Sequence, residues 1–456
     1  MIGAGPSGLA ASKVLASRGI PFDCFEAGSG IGGLWRYGND NGMSGIYASL
    51  HANLSKEGMS FSSLAMPETY PVFPHHSKVL AYLEDYATSF GLRPHLTLGT
   101  EVTSVRPLDE GGWEVAHRRR GDAPATEVRT QRYTEVVVAN GHHWNPRLPD
   151  PAVPGAETFE GPTVHSHGYR SPEPYAGLRV LVIGMGNSAC EIAAEISRTA
   201  ARTFLSARDA AHVFPKMLLG RPADHLVQSP LSGLPRFLKG PATALLLRLT
   251  RGAPAQYGLP DPVRGPLAAH PSSSDELLVQ LARGAITPKP GVSSFGRDTA
   301  AFTDGTREAV DAVVYATGYS LSFPFLDPSV FAAPHGRTEL YLRTVPPRLP
   351  GLYFMGLAQP AGVAFPLLEP QAEWVADLIA GTAALPSPSD MTRAITREWQ
   401  RHEKTYVSTY RHGIEIDVRA YRRALRRELR AGRRRARGVV PQPSAVTGPA
   451  PAAEAV

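Results

Sequence analysis

Two glycine-rich turns, each joining an apolar run to an amphipathic helix, are Gly3-Ala-Gly5-Pro6-Ser7-Gly8 at the start of the chain and Gly184-Met-Gly186-Asn187-Ser188-Ala189 after the apolar run 179–183. This is how a dinucleotide-binding βαβ unit begins. A second pair, Val136-Val-Val-Ala-Asn-Gly141 and Val313-Val-Tyr-Ala-Thr-Gly318, reads as two apolar strands ending in similar small-residue turns, one before the second motif and one well after it. Together they predict an α/β fold of two Rossmann-like dinucleotide-binding domains, the second inserted into a discontinuous first, with C-terminal helices.

In the first turn, Gly3 and Gly5 allow a tight bend and close approach of the backbone to a pyrophosphate. Pro6 and Ser7 open the helix expected over 7–18, and its free N–H groups favour an anion. Gly8 stands where helix and strand must pack closely. A strand over 21–25 ends in Glu26, 23 residues after Gly3, where a carboxylate accepts hydrogen bonds from a ribose diol. Only Met1 and Ile2 precede Gly3, so several more apolar residues are expected upstream, because losing a central strand leaves neighbouring backbone groups unpaired.

In the second turn, Gly184 and Gly186 take the same roles, Asn187 and Ser188 open the helix, and Ala189 still permits close helix–strand packing. The strand that follows ends Ser206-Ala-Arg208, with Arg208 placed 24 residues after Gly184. A guanidinium there suits a 2′-phosphate, with Ser206 as a neutral donor, and favours NADPH over NADH. Asp209 beside it offers the alternative, a carboxylate for an NAD ribose. Two nucleotide sites in one chain suggest one nicotinamide electron donor and one flavin.

With 456 residues and 43% apolar content, the chain can build two to three ordinary domains. Its net charge of +6 is concentrated: 419–437 holds ten arginines and one glutamate, leaving a slightly acidic body. Helical spacing puts Ala420, Ala424, Leu425 and Leu429 along one side of that run, so packing of this side with the arginines solvated is the first reading. A weak contact with a membrane surface is the second, and nothing else points to nucleic acid. Two cysteines, Cys24 and Cys190, give neither a disulfide framework nor a CxxC centre. No stretch has the length of a membrane span, and a cytoplasmic protein is expected. His75-His76 and His142-His143 are adjacent pairs whose side chains point apart, so no metal site is expected.

After Glu26 come Gly32-Gly33-Leu34-Trp35-Arg36 and Asn53-Leu-Ser-Lys56-Glu57. Phe159-x-Gly161-x-x-x-His165-x-x-x-Tyr169 precedes the second turn, Ala316-Thr-Gly318-Tyr319 follows the strand near 311–315, and Gly356-Leu-Ala-Gln359-Pro and Glu369-Pro-Gln371-Ala-Glu-Trp374 come late. In this order, and through most of the chain, they resemble the flavin-containing monooxygenases. With these motifs as nucleotide sites, the two strand-and-turn runs give an FAD domain over 1–151 and 305–390 with an NADPH domain inserted over 152–304; 391–437 reads as increasingly basic helices, and the Pro- and Ala-rich 438–456 as a disordered tail. Beyond this, the resemblance assigns residues. It places Gly33, Leu34, Trp35, Val102 (near the adenine) and Gln359 at the flavin, and Asn53 between flavin and NADP as the catalytic contact. His165 and Tyr169 are expected to pin two domains together rather than to exchange protons.

The chemistry so implied is an NADPH-dependent transfer of one oxygen atom, from dioxygen through a flavin C4a-hydroperoxide, to a soft nitrogen or sulfur nucleophile on a small molecule. The protein's part is to bind, orient and exclude water. Two alternatives stay open. One is a Baeyer–Villiger reaction on a ketone, which Tyr169 argues against because those enzymes usually carry tryptophan there. The other is a flavoprotein that no longer oxygenates, acting as an NADPH oxidase or redox sensor.

Overall fold

The computed structural model describes residues 1–121, 127–208, 212–225, 236–262, 265–266, 272–360, 362–406 and 413–438. Asp209 and residues 439–456 lie outside them. Five short runs form an all-parallel sheet in the order Ile286–Lys289, Arg202–Ser206, Arg179–Ile183, Ala312–Tyr315, Thr163–His165. The central runs are aliphatic and buried without alternation, as in a sheet covered on both faces. Helix Asn187–Ile196 crosses from Arg179–Ile183 to Arg202–Ser206, presenting Ala189, Cys190, Ile192, Ala193 and Ile196 to the core. Chain order reverses between Arg179–Ile183 and Ala312–Tyr315, so the Gly184 turn sits at the carboxyl edge of a topological switch point, where such sheets bind ligands.

Strand Ala312–Tyr315 is therefore central to the second sheet, although a boundary at 304/305 assigns it to the first domain. Its neighbour is fixed at the base by Asp311, whose carboxylate takes the Arg179 backbone N–H at 2.7 Å and the guanidinium at 2.6 and 2.9 Å. The antiparallel sheet Val292–Phe295, Thr299–Phe302, Arg307–Ala309 leads into it. Both neighbours of Ala312–Tyr315, namely Arg179–Ile183 and Thr163–His165, belong to the second sheet. The two small-residue turns look alike in sequence, and only strand pairing tells which sheet each closes.

The first sheet is built around very little chain. Ile2 bridges Phe25 and Val138 in parallel, flanked by Cys24–Phe25 with Leu96–Thr97 on one side and Val136–Val138 with Leu352–Phe354 on the other. Four backbone bonds hold it: Ile2 N–H to Val137 O, Gly3 N–H to Phe25 O, Phe25 N–H to Met1 O and Ala139 N–H to Ile2 O, at 2.8 to 3.0 Å. The strand expected over 21–25 contracts to Cys24–Phe25. An antiparallel sheet, Thr100–Pro107, Trp113–Arg119 and Arg129–Tyr133, closes this core with buried Trp113.

The C-terminal part adds helices Leu368–Ile379, Pro388–Thr405 and Val418–Gly438. The arginine-rich helix buries Val418, Tyr421, Leu425, Glu428 and Gly432. Its inner face is therefore rotated from the expected one, and Ala420 is exposed. Hydrogen bonds explain the rotation: Tyr421 donates to Leu342 O at 3.1 Å, and Glu428 accepts from Tyr341 at 2.8 Å, so two polar side chains join the seam. Arg433 reaches the buried Asp377, which also pairs with Arg18 of the first helix. Among the described residues no helix is long and apolar enough to cross a membrane.

Candidate functional site

The first glycine turn is shaped by backbone crowding. Gly3 has φ +99°, and a Cβ there would stand 2.7 Å from the carbonyl oxygen of Ala139; a Cβ on Gly8 would collide with Gly3 O. Helix Pro6–Ser17 starts directly on the turn, with Gly5 as N-cap and no side-chain cap, so its first N–H groups are left to an anion. Gly33, at φ +55°, brings its Cα against Gly5, where a Cβ would lie 3.0 Å from the Gly5 Cα. The short 3-10 turn Gly33–Trp35 thereby lays Leu34 and Trp35 beside the first motif. On another side, a Cβ at Gly356 would strike Ser7 Oγ, while the Gly356 N–H donates to Gln371 Oε1 at 3.1 Å. The early and late motifs thus meet at one place.

Glu26 is buried. Its Oε2 accepts from Ala4 N–H at 2.7 Å, and its Oε1 accepts from Gly28 N–H at 2.7 Å and from the Asn41 amide at 3.1 Å. The carboxylate is therefore fixed in place beside the turn with lone pairs to spare. Thr100 N–H donates to Glu26 O at 2.8 Å, which carries Val102 close to the acid, in the core with Ile2 and Phe25. Gln359 is half-buried in a short parallel pair with Glu415–Ile416, its N–H on Ile414 O at 2.7 Å. Glu369 acts as a buried anchor for Ser63, Tyr86 and Lys13.

The second turn repeats the pattern. Gly184 has φ +133°, and a Cβ would collide with the carbonyl of Ala316, so the Ala316-Thr-Gly318 element is the wall of this turn. Ala189 is fully buried, and the same added Cβ would lie 3.6 Å from its own, the close packing that a small third residue permits. Gly186 caps the helix without a side-chain bond, leaving Asn187 and Ser188 in the first turn. Asn187 Oδ1 accepts Ser273 N–H at 2.7 Å, and Ser272 donates to Met185 O at 2.5 Å, tying the turn to the strand Ser272–Ser273. Ser206 differs from expectation. Its hydroxyl is buried and donates to Pro290 O at 2.6 Å, so it is committed to the adjoining loop. Arg208 lies exposed beyond the strand, packed beside Gly291, and keeps its guanidinium at the surface.

Between the two parts stands the Asn53 segment. Asn53 is half-buried, and its Oδ1 is buried with no hydrogen-bond partner among the described residues. Such an atom costs free energy unless something meets it. Lys56 reaches away, donating to Glu68 O at 2.8 Å and Tyr70 O at 3.1 Å. Tyr169 is buried, donates to Glu195 at 2.6 Å, and meets the ring of Tyr47 edge-on at 5.6 Å. Tyr47 in turn donates to Glu191 at 2.5 Å, which also takes Lys216 at 2.8 Å. Burial first, then Glu195, holds the Tyr169 hydroxyl far above its usual range, so it stays a neutral donor. Burial pushes His165 down to about 4, against a smaller opposing contribution from the Gly318 backbone. A neutral imidazole and a neutral phenol bridging elements fit the pinning role. Tyr47, Ser55, Glu191, Lys216 and Asp224 escaped notice in the sequence because their partners are far along the chain and no local pattern marks them.

Two crowded glycine cradles, each at an uncapped helix start, and one buried acid at ribose spacing fit two dinucleotides. Residues 1–432 match the family model described as flavin-binding monooxygenase-like. Flavin-containing monooxygenase 5 of Oryctolagus cuniculus is 38% identical over 431 residues, 91% of this chain and 80% of that protein. Flavin-containing monooxygenase 3 of Homo sapiens is 35% identical over 423 residues, 89% and 78% respectively. The solved S-allyl-L-cysteine S-oxygenase from Allium sativum superposes with a TM-score of 0.70 at 25% identity, covering 96% of this chain and 90% of that one. A cyclohexanone monooxygenase structure gives 0.70 at 21% identity, over 95% and 97%, and shares the fold. The chain belongs to the flavin-containing monooxygenase family and is an oxidoreductase that uses FAD and NADPH.

Proposed function

We propose that the first cradle, with Gly3, Gly5, Pro6, Ser7, Gly8, Glu26, Gly33, Leu34, Trp35, Val102 and Gln359, holds FAD, and that the second, with Gly184, Gly186, Asn187, Ser188, Ala189 and Arg208, holds NADPH. When bound, FAD supplies the passage of electrons from NADPH to dioxygen and of one oxygen atom to the substrate. The chain's own residues bind and orient. Glu26 receives the ribose hydroxyls of FAD, the helix starts at Pro6 and Asn187 face the pyrophosphates, and Arg208 receives the 2′-phosphate. Ser206 acts one step removed, by fastening the 290 loop beside Arg208. The carrying observation is the buried, unpartnered Asn53 Oδ1, which offers an acceptor where an amide of the nicotinamide can donate. The domain limits supported by strand pairing are 1–151 and about 319–390 for FAD, and 152–318 for NADPH.

The substrate class we favour is a small soft sulfur or nitrogen nucleophile. The sulfur-oxygenating Allium enzyme supports it, with a like fold over nearly the whole chain. So does Tyr169, whose phenol is engaged by Glu195. Cys24 and Cys190, both buried and not joined by a disulfide, fit a cytoplasmic setting. Product analysis with a thioether and a cyclic ketone offered together tests the class: sulfoxide is expected, and ester formation alone would assign the chain to Baeyer–Villiger chemistry.

A further inference from the structure

We infer that Asp224, from the NADPH domain, is a positioning residue that holds the Asn53 loop of the FAD domain in its working shape, an inference that rests on the reading of Asn53 given above. Asp224 is 8% exposed. One of its oxygens, Oδ2, accepts two hydrogen bonds from Ser55, the N–H at 3.0 Å and the hydroxyl at 2.8 Å. The Ser55 hydroxyl oxygen in turn accepts Gly58 N–H at 3.2 Å, and Met59 N–H donates to Ser55 O at 3.0 Å. A single carboxylate oxygen from one domain thus closes a turn in the other, two residues after Asn53.

Gly58 shows that the approach is built in. A Cβ at that position would stand 2.6 Å from Asp224 Oδ2 and 3.2 Å from Gly362 O, while its φ is not in the left-handed region. A side chain there would push Asp224 Oδ2 away and crowd Gly362 O, so the close approach depends on the neighbour and not on the backbone conformation. His225 adds a second grip, with Nε2 at 3.3 Å from Ser55 Oγ and 3.5 Å from Glu57 Oε2. On its own-domain side the loop is tied by Lys56 N–H to Val72 O at 2.8 Å and Ala52 N–H to Pro74 O at 2.9 Å. Among the described residues the Asp224 carboxylate has no cationic partner. A buried carboxylate oxygen met by the two donors of one serine depends on them. Lifting the loop removes both, so loop shape and domain approach are one equilibrium.

The test measures hydrogen exchange of the loop amides and the fraction of consumed NADPH released as hydrogen peroxide, on the FAD-loaded full chain. Asp224→Ala is expected to speed exchange at Ser55 and Gly58 by roughly tenfold to a hundredfold, as for loss of a hydrogen bond to a charged group, and to raise the peroxide fraction at unchanged FAD content. Asp224→Asn keeps the acceptor and should recover most of both, and it serves with Ser55→Ala if the alanine variant does not fold. In a Ser55→Ala background the effect of Asp224→Ala should shrink, because the two share one interaction. Unchanged loop exchange in Asp224→Ala, or strictly additive effects of the pair, overturns the inference while leaving Asn53 standing. Asn53→Ala should raise peroxide without loosening the loop. If Asp224→Ala loosens the loop and neither variant raises peroxide, the Asn53 reading has failed, and the positioning role falls with it.

Discussion

Glu26 and Arg208, proposed above to meet the ribose and the 2′-phosphate, depend on their surroundings in different ways. Glu26 already satisfies Ala4 and Gly28 backbone N–H groups, so Glu26→Ala strands two buried donors besides removing the proposed ribose contact. We predict a stability loss of about 2–4 kcal/mol and a chain that purifies with little flavin, read by thermal unfolding and visible absorbance. Arg208 is exposed. Arg208→Ala should leave the melting temperature unchanged and raise the NADPH KM roughly tenfold, with the NADH KM unmoved; equal effects on both nucleotides would contradict a 2′-phosphate contact. Both residues were readable from their distance to a glycine turn. The engagement of Ser206 was not, since its partner Pro290 lies 84 residues on. Nor was the Ser55–Asp224 contact, which spans 169 residues.

At the scale of elements, the glycine turns carry the least tolerance. Gly184 combines φ +133° with a wall formed by the Ala316 carbonyl, and no side-chain rotation relieves a clash with backbone. Gly184→Ala is expected to destabilise the second domain by about 2 kcal/mol or more and to abolish NADPH-dependent flavin reduction, as stopped-flow bleaching would show. The C-terminal helix is held by charge as well as by apolar contact. Asp377 is buried beneath Arg18 and Arg433, both partly exposed. After discounting for solvent screening, Asp377→Ala should cost about 1–2 kcal/mol and loosen the 418–438 helix, seen as faster amide exchange there. Periodicity located this helix but not its inner face. Apolar spacing alone does not reveal that Tyr421 and Glu428 are paired polar members of the seam.

For the whole molecule, the two-domain plan was legible because glycine turns after apolar strands have few other uses. Which sheet each of the Val136 and Val313 runs joins was not, because the two are alike until they pair. Acid should part the molecule at its imidazoles. Burial lowers His142 and His165 from an ordinary 6.5 to about 4. The unfolded chain therefore binds these protons first, and the stability contributed by keeping both rings neutral is present above about pH 6.5 and lost as pH falls toward 4. Melting temperature against pH should decline across that window, and His165→Gln should flatten part of the decline; an unchanged slope would show that His165 is not kept neutral.

The most direct measurement is the balance of NADPH consumed, hydrogen peroxide released and sulfoxide formed, with and without a simple thioether. A chain that binds both cofactors and excludes water around them should form sulfoxide in place of peroxide when thioether is present, with NADPH strongly preferred over NADH. NADPH consumption that returns entirely as peroxide, with no sulfoxide at any thioether concentration, would contradict oxygen transfer to a soft nucleophile and point to an oxidase.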